Sequence, residues 1–504
     1  MGFCDDVFKH IVKHAVLLKN PELEVLREMA SGGETTTEFG SARYVTKVRS
    51  RSAKFTEIIM DEPSDEQKRI LREVQAYLAG KTLISMERTM CLNHEFNLQC
   101  MGLFTSAFAR IPYMWTQTLF APVEGRKKDM RVVDVPEWKE TKVLVDVPSM
   151  TTFILGSDYM GECKKANLRM AMYIIKQRGG LGLHAGGKIL RVKDASGRLI
   201  EKSFMLFGLS GTGKTTLTVH DHGLSGDEGV IILQDDVLLM RDDGYCYGTE
   251  NGFYIKTEGL DAGQPVMYSA ATKPHAVLEN VWVDENGKVD FGNYTLTSNG
   301  RGVILRSDIS QCDSEIDLPQ VEVMIFITRH KDVVPPIAKL TAEQAAAAFM
   351  LGESIETSAG DPEKAGQAKR VVGTNPFIIG PLHEEGNRFL SILRRNPFIE
   401  CYIMNTGYVG GERSGDKITI QDSVNVMKEI ARGSIAWKKC SEWHYLIPVS
   451  VEGVRTKKLD AANYYAPEEY ARLCGKLREE RKNWLAKFPE LDDGVVVALT
   501  EKKE

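Results

Sequence analysis

Residues 208–215 read Gly-Leu-Ser-Gly-Thr-Gly-Lys-Thr and decide the fold class. This stretch matches the pattern G-x-x-x-x-G-K-[ST], in which backbone N–H groups of a glycine-rich turn surround a phosphate. The apolar run 203–207 before it predicts a buried strand, and residues 216–218 after it predict the first turn of a helix. The N-terminus of that helix adds its positive dipole end to the loop amides. The sequence therefore predicts an α/β nucleotide-binding domain.

The loop also predicts which residues meet the nucleotide. Lys214 supplies a mobile positive charge for the outer phosphates, and the Thr215 hydroxyl can hold a divalent ion. The expected nucleotide contacts of the loop are Gly208, Leu209, Ser210, Gly211, Thr212, Gly213, Lys214, Thr215 and Thr216.

An acidic pair follows the loop. Asp235 and Asp236 come directly after Gln234, which closes the strand-like run 229–233. An acid at the end of a buried strand beside a phosphate loop can hold the divalent ion that bridges nucleotide phosphates. A simple turn is the alternative, because Asp-Asp is common in turns, but the preceding strand and the spacing from Lys214 favour the metal role.

Composition excludes several functional classes. The chain has 504 residues, a length typical of more than one domain, and a net charge of −5, which argues against a general nucleic-acid binder. Its 9 cysteines include no C-x-x-C pair, so reduced thiols are expected rather than a disulfide framework. No secretory signal and no apolar stretch approaching about 18 residues is present, so we expect a cytoplasmic enzyme without a membrane partner.

Several separated segments resemble the ATP-dependent phosphoenolpyruvate carboxykinases. They occur in the family's order across roughly residues 45 to 430. The segments that carry the resemblance are 159–165, 184, 208–217, 235–236, 250–256, 301, 335–341 and 405–408.

The resemblance implies a two-domain α/β fold. A mixed α/β N-terminal substrate-binding domain would span residues 1–195, and a P-loop-containing C-terminal nucleotide-binding domain would span 196–504, with the active site between them. The polar, glycine-rich interval that begins at Gly352 suggests a mobile lid around 352–385.

The same resemblance implies the reaction: oxaloacetate and ATP would give phosphoenolpyruvate, ADP and CO2 reversibly, in gluconeogenesis or anaplerosis. The implied catalytic residues are Arg51, Tyr159, Lys165, Lys214 and Arg301. Mn2+ would be bound by Lys165 (in its neutral form), His184 and Asp236, and Mg2+ by Thr215, with Asp235 as the other acid of the metal-binding pair. Further nucleotide contacts would come from Lys256, Arg301, Lys417, Ile418 and Ser423.

The chain departs from the family pattern at several points. The segment 185–188 after His184 and the segment 237–240 after Asp236 are altered, and Lys417 stands where the family usually has an arginine.

Two alternatives stay open. A related kinase could use the same cradle on a protein serine or a small molecule, although Arg51, Tyr159 and Arg301 argue against it. A non-catalytic nucleotide sensor is suggested by the altered segments, although the Lys165, His184 and Asp236 set argues against it. The sequence leaves the oligomeric state open and slightly favours a monomer.

Overall fold

The structure is a computed structural model and describes residues 2–50, 52–209, 211–356 and 367–501. Arg51 and Ser210 of the predicted site lie outside these residues, as does the part 357–366 of the predicted lid. The chain forms two compact units: the first comprises Met1–Ile174 and Thr249–Ser310, and the second comprises Ile175–Gly248 and Gln311–Glu504. Both units are discontinuous in sequence, and the single domain boundary after residue 195 stays a prediction.

The helices of the described residues are α1 (Phe3–His14), α2 (Leu23–Ala30), α3 (Asp65–Leu78), α4 (Arg110–Thr118), α5 (Met160–Gln177), α6 (Lys214–Val219), α7 (Pro265–Ala271), α8 (Ala342–Leu351), α9 (Leu382–Arg395), α10 (Ile420–Arg432), α11 (Pro467–Leu485) and α12 (Asp493–Ala498).

The strands are β1 (Val16–Lys19), β2 (Thr35–Thr36), β3 (Ala42–Tyr44), β4 (Thr56–Ile59), β5 (Thr82–Met90), β6 (Leu98–Thr105), β7 (Met130–Val135), β8 (Lys142–Asp146), β9 (Thr151–Leu155), β10 (Leu181–Leu183), β11 (Ala185–Lys193), β12 (Leu199–Phe207), β13 (Gly229–Gln234), β14 (Leu238–Met240), β15 (Cys246–Gly248), β16 (Gly252–Lys256), β17 (Val277–Glu279), β18 (Trp282–Val283), β19 (Val289–Asp290), β20 (Arg301–Leu305), β21 (Val323–Thr328), β22 (Ile337–Leu340), β23 (Glu353–Ile355), β24 (Ala368–Arg370), β25 (Glu400–Asn405), β26 (Tyr408–Val409), β27 (Asp416–Lys417), β28 (Trp437–Lys439) and β29 (Leu446–Pro448).

The first unit contains a seven-stranded mixed sheet with strand order β1-β5-β6-β7-β9-β8-β4. Helices α1 and α3 pack in one apolar core with strands of this sheet. Helix α3 begins at a capping box, in which Ser64 and Gln67 satisfy each other's backbone N–H groups, and its buried Ile70 and Val74 follow helical spacing. The capping box and the buried face thus define helix α3.

A five-stranded sheet of the first unit has the order β16-β20-β17-β3-β2. It carries Lys256, predicted to contact the nucleotide, and Arg301, predicted to bind a substrate carboxylate. In its register Lys256 pairs with Arg301, and Arg301 pairs in turn with Glu279. Directly opposed residues on neighbouring strands share one face of a sheet, so three ionisable side chains form a row across it.

The second unit is built on an eight-stranded sheet with order β13-β11-β12-β21-β25-β22-β29-β28. Its strands β12, β21 and β25 run parallel. Phe204 and Leu206 of β12 belong to one apolar core, whereas Met205 and Phe207 belong to another. Because successive side chains of a strand point to opposite faces, these cores cover the two faces of the sheet. The mixed α/β fold predicted from the sequence is confirmed.

Helices of the second unit cover this sheet. Residues of α8, α9, α11 and α12 belong to one core, and residues of α6 and α10 belong to the other. Helix α8 begins after the capping residue Thr341. None of the described helices combines the length and the apolar composition needed to cross a membrane.

Candidate active site

The phosphate loop joins the end of β12 to the first residue of α6, as the sequence predicted. Gly211 and Gly213 have φ values of 81° and 102°, in the left-handed region that glycine adopts without steric cost. The Leu217 N–H donates to the Gly213 carbonyl at 2.9 Å, so the helix begins directly after the loop. The first N–H groups of such a helix have no intrahelical acceptor and can bind an anion.

Lys214 and Thr215 meet the acidic pair that follows β13. The Lys214 Nζ donates to the Asp235 carbonyl oxygen at 2.9 Å and lies 3.7 Å from the Asp236 carboxylate. The Thr215 hydroxyl donates to the Asp235 carboxylate at 3.3 Å. The structure thus brings together four of the residues predicted to hold the metal-bound phosphates.

His184 lies between β10 and β11 and points one ring nitrogen at this acidic pair. Its Nε2 lies 3.1 Å from Asp236 Oδ1, and its Nδ1 lies 2.9 Å from the carbonyl oxygen of Thr374. A carbonyl oxygen only accepts, so Nδ1 carries a proton and donates it to this hydrogen bond. Thr374 has a φ of 51°, an uncommon value for a β-branched residue, so the carbonyl that orients His184 comes from a strained position.

The His184 and Asp236 side chains fit a divalent metal. When only Nδ1 is protonated, the Nε2 lone pair faces the Asp236 carboxylate oxygen. Two hydrogen-bond acceptors at this distance need a cation, or a proton on Nε2, between them. An N and O donor pair whose histidine is oriented by a carbonyl is usual around Mn2+ and similar ions. Within the described ranges, no three His, Cys, Asp or Glu side chains form a metal-binding group.

The residues predicted near adenine lie where β27 leads into α10. Lys417 is exposed, whereas Ile418 and Ser423 are buried. The Ile418 N–H donates to the Gly407 carbonyl at 2.9 Å. Gly407 comes two residues after the end of β25, so this segment is attached to the same sheet edge as the phosphate loop.

In the first unit, two adjacent lysines at the start of α5 have different surroundings. Lys164 is buried and forms an ion pair with Glu250 at 2.7 Å. Lys165 is only partly buried. Since successive helical residues point about 100° apart, the ion pair of Lys164 leaves Lys165 on a different face. The buried ion pair gives Lys164 a structural role.

Asn299 links Tyr159 to Arg301. The Arg301 Nη2 donates to Asn299 Oδ1 at 2.8 Å, and the Asn299 amide nitrogen lies 3.5 Å from the Tyr159 hydroxyl. The same amide donates to the carbonyl oxygen of Arg49 at 2.7 Å. Two predicted catalytic residues, distant in sequence, are therefore neighbours through one side chain that sequence reasoning missed.

A buried chain of polar groups supports Arg301. Its guanidinium lies over the ring of Tyr254 at 5.5 Å, and the Tyr254 hydroxyl donates to Glu279 at 2.7 Å. Arg110 forms ion pairs with both Glu279 and Asp158 at 3.1 Å. Burial raises the pKa of Glu279 and keeps the pKa of Tyr254 well above its usual range, so the phenol stays protonated and donates.

Lys256 neighbours Arg301 in the same row of the sheet and contacts Glu258. Burial lowers the pKa of Lys256, and the nearby positive charge of Arg301 lowers it further, while Glu258 opposes both effects.

Sequence reasoning identified the loop and the acidic pair but not their supports. Thr374 acts through a backbone carbonyl, which leaves no sequence signal. Glu279, which supports Arg301 on the five-stranded sheet, lies beside Arg301 and Tyr254 only because of the register of β16, β20 and β17. Such a contact could have been anticipated only with the strand pairing in hand.

Comparison with known proteins points to one family. A sequence profile of the family described as "Phosphoenolpyruvate carboxykinase" matches residues 16–457. A protein from Aeropyrum pernix named "Phosphoenolpyruvate carboxykinase (ATP)" is 33% identical over 491 residues, which cover 96% of this chain and 97% of that protein. A protein of the same name from Rhizobium rhizogenes is 27% identical over 449 residues, or 84% of this chain and 80% of that protein.

Proposed function

This chain belongs to the phosphoenolpyruvate carboxykinase family, and we propose that it converts oxaloacetate and ATP to phosphoenolpyruvate, ADP and CO2 in a reversible reaction. The observation that carries this proposal is the convergence of His184, Asp236, Lys214 and Thr215 beside the phosphate loop. A phosphate cradle with a metal-ligand pair suits transfer of a phosphoryl group to an oxyanion.

The nucleotide is held chiefly by backbone groups. The loop amides and the N-terminus of α6 bind the phosphates, and Lys214 moves from the Asp235 carbonyl to the outer phosphates. Lys256 contacts the transferred phosphate. Lys417, Ile418 and Ser423 contact the adenine side.

The substrate is held by side chains. Arg301 and Arg51 bind the carboxylates of oxaloacetate, because a guanidinium matches carboxylate geometry with two parallel hydrogen bonds. Tyr159, joined to Arg301 through Asn299, lies against the carboxylate that leaves as CO2.

Metal ligation completes the proposal. His184, Asp236 and Lys165 would hold Mn2+, and Thr215 with Asp235 would hold Mg2+ on the triphosphate. A divalent ion in the first position would stabilise the negative charge that develops on the enolate oxygen. Lys165 binds a metal only as the neutral amine, so binding there releases a proton.

The reaction balances without a protein nucleophile. The bond between the leaving carboxylate and its neighbouring carbon breaks, and its electron pair forms the enolate. The enolate oxygen then attacks the γ-phosphorus, and the bond to the β-phosphate oxygen breaks to release ADP. The residues contribute by alignment and by neutralising charge. Exclusion of water by a lid around 352–385 would prevent protonation of the enolate to pyruvate.

The experiment is a product balance. The purified chain is incubated with oxaloacetate, ATP, Mg2+ and Mn2+, and phosphoenolpyruvate, ADP and CO2 are measured together. We expect equal amounts of the three products. Absence of phosphoenolpyruvate under conditions where ATP binds, or phosphoryl transfer without CO2, would contradict the proposal. We further propose a cytoplasmic location and a monomer, the latter testable by light scattering.

A further inference from the structure

Two side chains with no role in the proposed chemistry hold consecutive carbonyl groups of the phosphate loop. The Arg329 Nη1 donates to the Gly211 carbonyl at 3.1 Å, and the Thr406 hydroxyl donates to the Thr212 carbonyl at 2.7 Å. We call Arg329 and Thr406 the loop clamp.

The loop clamp stands on the two central parallel strands of the second unit. Arg329 directly follows β21, and Thr406 directly follows β25. These strands pair so that Thr328 lies opposite Asn405, and the Thr406 N–H donates to the Thr328 carbonyl at 3.0 Å. The clamp therefore ties the loop to the two central strands of this sheet.

Holding a carbonyl also aims an amide. In a planar trans peptide the C=O and the N–H point in opposite directions. The hydrogen bond from Thr406 to the Thr212 oxygen therefore directs the N–H of Gly213 away from the clamp. The preceding peptide is held at both ends, since Arg329 donates to its oxygen and the Thr212 N–H donates to Leu209 at 3.2 Å.

The loop needs such restraint because its own backbone supplies little. Gly211 and Gly213, both at positive φ, flank the clamped peptides, and glycine loses more conformational freedom on ordering than any other residue. Without the clamp, part of the binding energy of a phosphate would be spent on ordering these peptides.

Arg329 adds charge as well as a hydrogen bond. It is partly exposed, and no carboxylate in the described part of the chain forms an ion pair with it. Its neighbour Glu412 is paired instead with Lys331 at 2.8 Å. Arg329 thus places a positive charge beside the Gly211 peptide of the loop.

We propose that Arg329 and Thr406 are positioning residues that hold the phosphate loop ready for a triphosphate. Thr406 aims the Gly213 amide, and Arg329 fixes the Gly211 peptide and contributes positive charge. The inference rests on the proposed function only for the identity of the ligand as ATP.

The test measures dissociation constants for ATP and for inorganic tripolyphosphate, both with Mg2+, in the full-length chain. We expect Thr406→Val and Arg329→Met each to weaken both ligands about 5- to 10-fold, the value of a lost hydrogen bond. Thr406→Ser, which keeps the hydroxyl, should restore parental affinity. In turnover the KM for ATP should rise while the KM for oxaloacetate stays unchanged.

Arg413→Met is the matched control. Arg413 is an exposed arginine next to Glu412, so the substitution removes the same charge without touching the loop. It should bind both ligands within about twofold of the parent. Three outcomes would overturn the inference. They are equal losses of affinity in Arg413→Met and Arg329→Met, unchanged affinity in Thr406→Val, and failure of Thr406→Ser to restore binding. A chain that binds ATP as expected but makes no phosphoenolpyruvate would count against the proposed function and leave the clamp standing.

Discussion

In the proposed function, the phosphate loop and the five-stranded sheet both bind anions, but they do so by different means. The loop uses backbone groups from one contiguous stretch, fixed by glycines and by the sheet edge. The five-stranded sheet uses side chains from separate strands, aligned by register and fixed by the buried Tyr254, Glu279 and Arg110 chain. Anion binding by the loop should therefore be lost on changing a few neighbouring residues. Anion binding by the sheet should depend on side chains that are far apart in the sequence.

The largest effect is expected in the loop, at its one mobile charge. Lys214→Met should lower kcat by about 10³-fold, because a preorganised positive group at the transferred phosphoryl stabilises the transition state. Affinity for ATP should fall much less, since the backbone contacts remain. The measurement is steady-state phosphoenolpyruvate formation beside ATP binding.

Lys476→Met is the control for this variant, because Lys476 is an exposed lysine of α11 with no role in the proposed site. It should leave kcat unchanged. A Lys214→Met variant with kcat within tenfold of the parent would show that the loop acts by binding alone.

A buried ion-pair cluster in the second unit should contribute to the free energy of unfolding. The Glu353 side chain is only 8% exposed and pairs with Arg481 at 2.7 Å and Arg370 at 3.0 Å. Glu353→Gln should destabilise the protein by about 3 kcal/mol at pH 7, as expected for breaking a buried ion pair. Urea unfolding measures this loss, and Glu412→Gln, which breaks an exposed ion pair, should change stability little.

The pH dependence of that loss has a definite sign. Burial alone would raise the pKa of Glu353, but the charge of Arg481 and the hydrogen bond from His330 outweigh it, and the pKa is held well below its usual value of 4.5. A lowered pKa means that the carboxylate contributes its full stability above the unfolded value and loses it on acidification. The difference between parent and Glu353→Gln should therefore be constant above pH 4.5 and shrink below it. A difference that grows on acidification would contradict the ion-pair account.

Changing Arg301 should raise the KM for oxaloacetate. Arg301→Gln should raise it about 10- to 100-fold, the range expected for hydrogen bonds to a charged group. Binding of ATP is measured in parallel to see whether the nucleotide contact proposed for Arg301 is significant; we expect less than a threefold change. The surface variant Lys288→Gln removes the same charge and should change neither value.

The smallest effect separates the two supports of Arg301. Tyr254→Phe keeps the ring beneath the guanidinium but removes the hydrogen bond to Glu279, and should raise the KM for oxaloacetate less than threefold. Tyr254→Leu also removes the cation–π contact and should raise it further, by about 3- to 10-fold. Equal effects of both variants would mean that the hydroxyl, not the ring, positions Arg301.

The same contrast explains what could be predicted from the sequence. The strand, loop and helix around residues 203–219 lie within one short window, so their local pattern was sufficient. The α3 and α8 capping boxes were equally local. The Tyr254 to Glu279 contact and the Thr374 carbonyl beside His184 depend on tertiary pairing over 25 and 190 residues, which no local pattern encodes.

The account rests on Lys165, His184 and Asp236 binding one metal ion. Electron paramagnetic resonance of Mn2+ titrated into the parent chain and into Lys165→Met, His184→Gln and Asp236→Asn tests this directly. We predict that each variant weakens Mn2+ binding about tenfold or more, as the loss of one ligand requires. Parental Mn2+ affinity in Lys165→Met, with loss in the other two, would contradict the shared site.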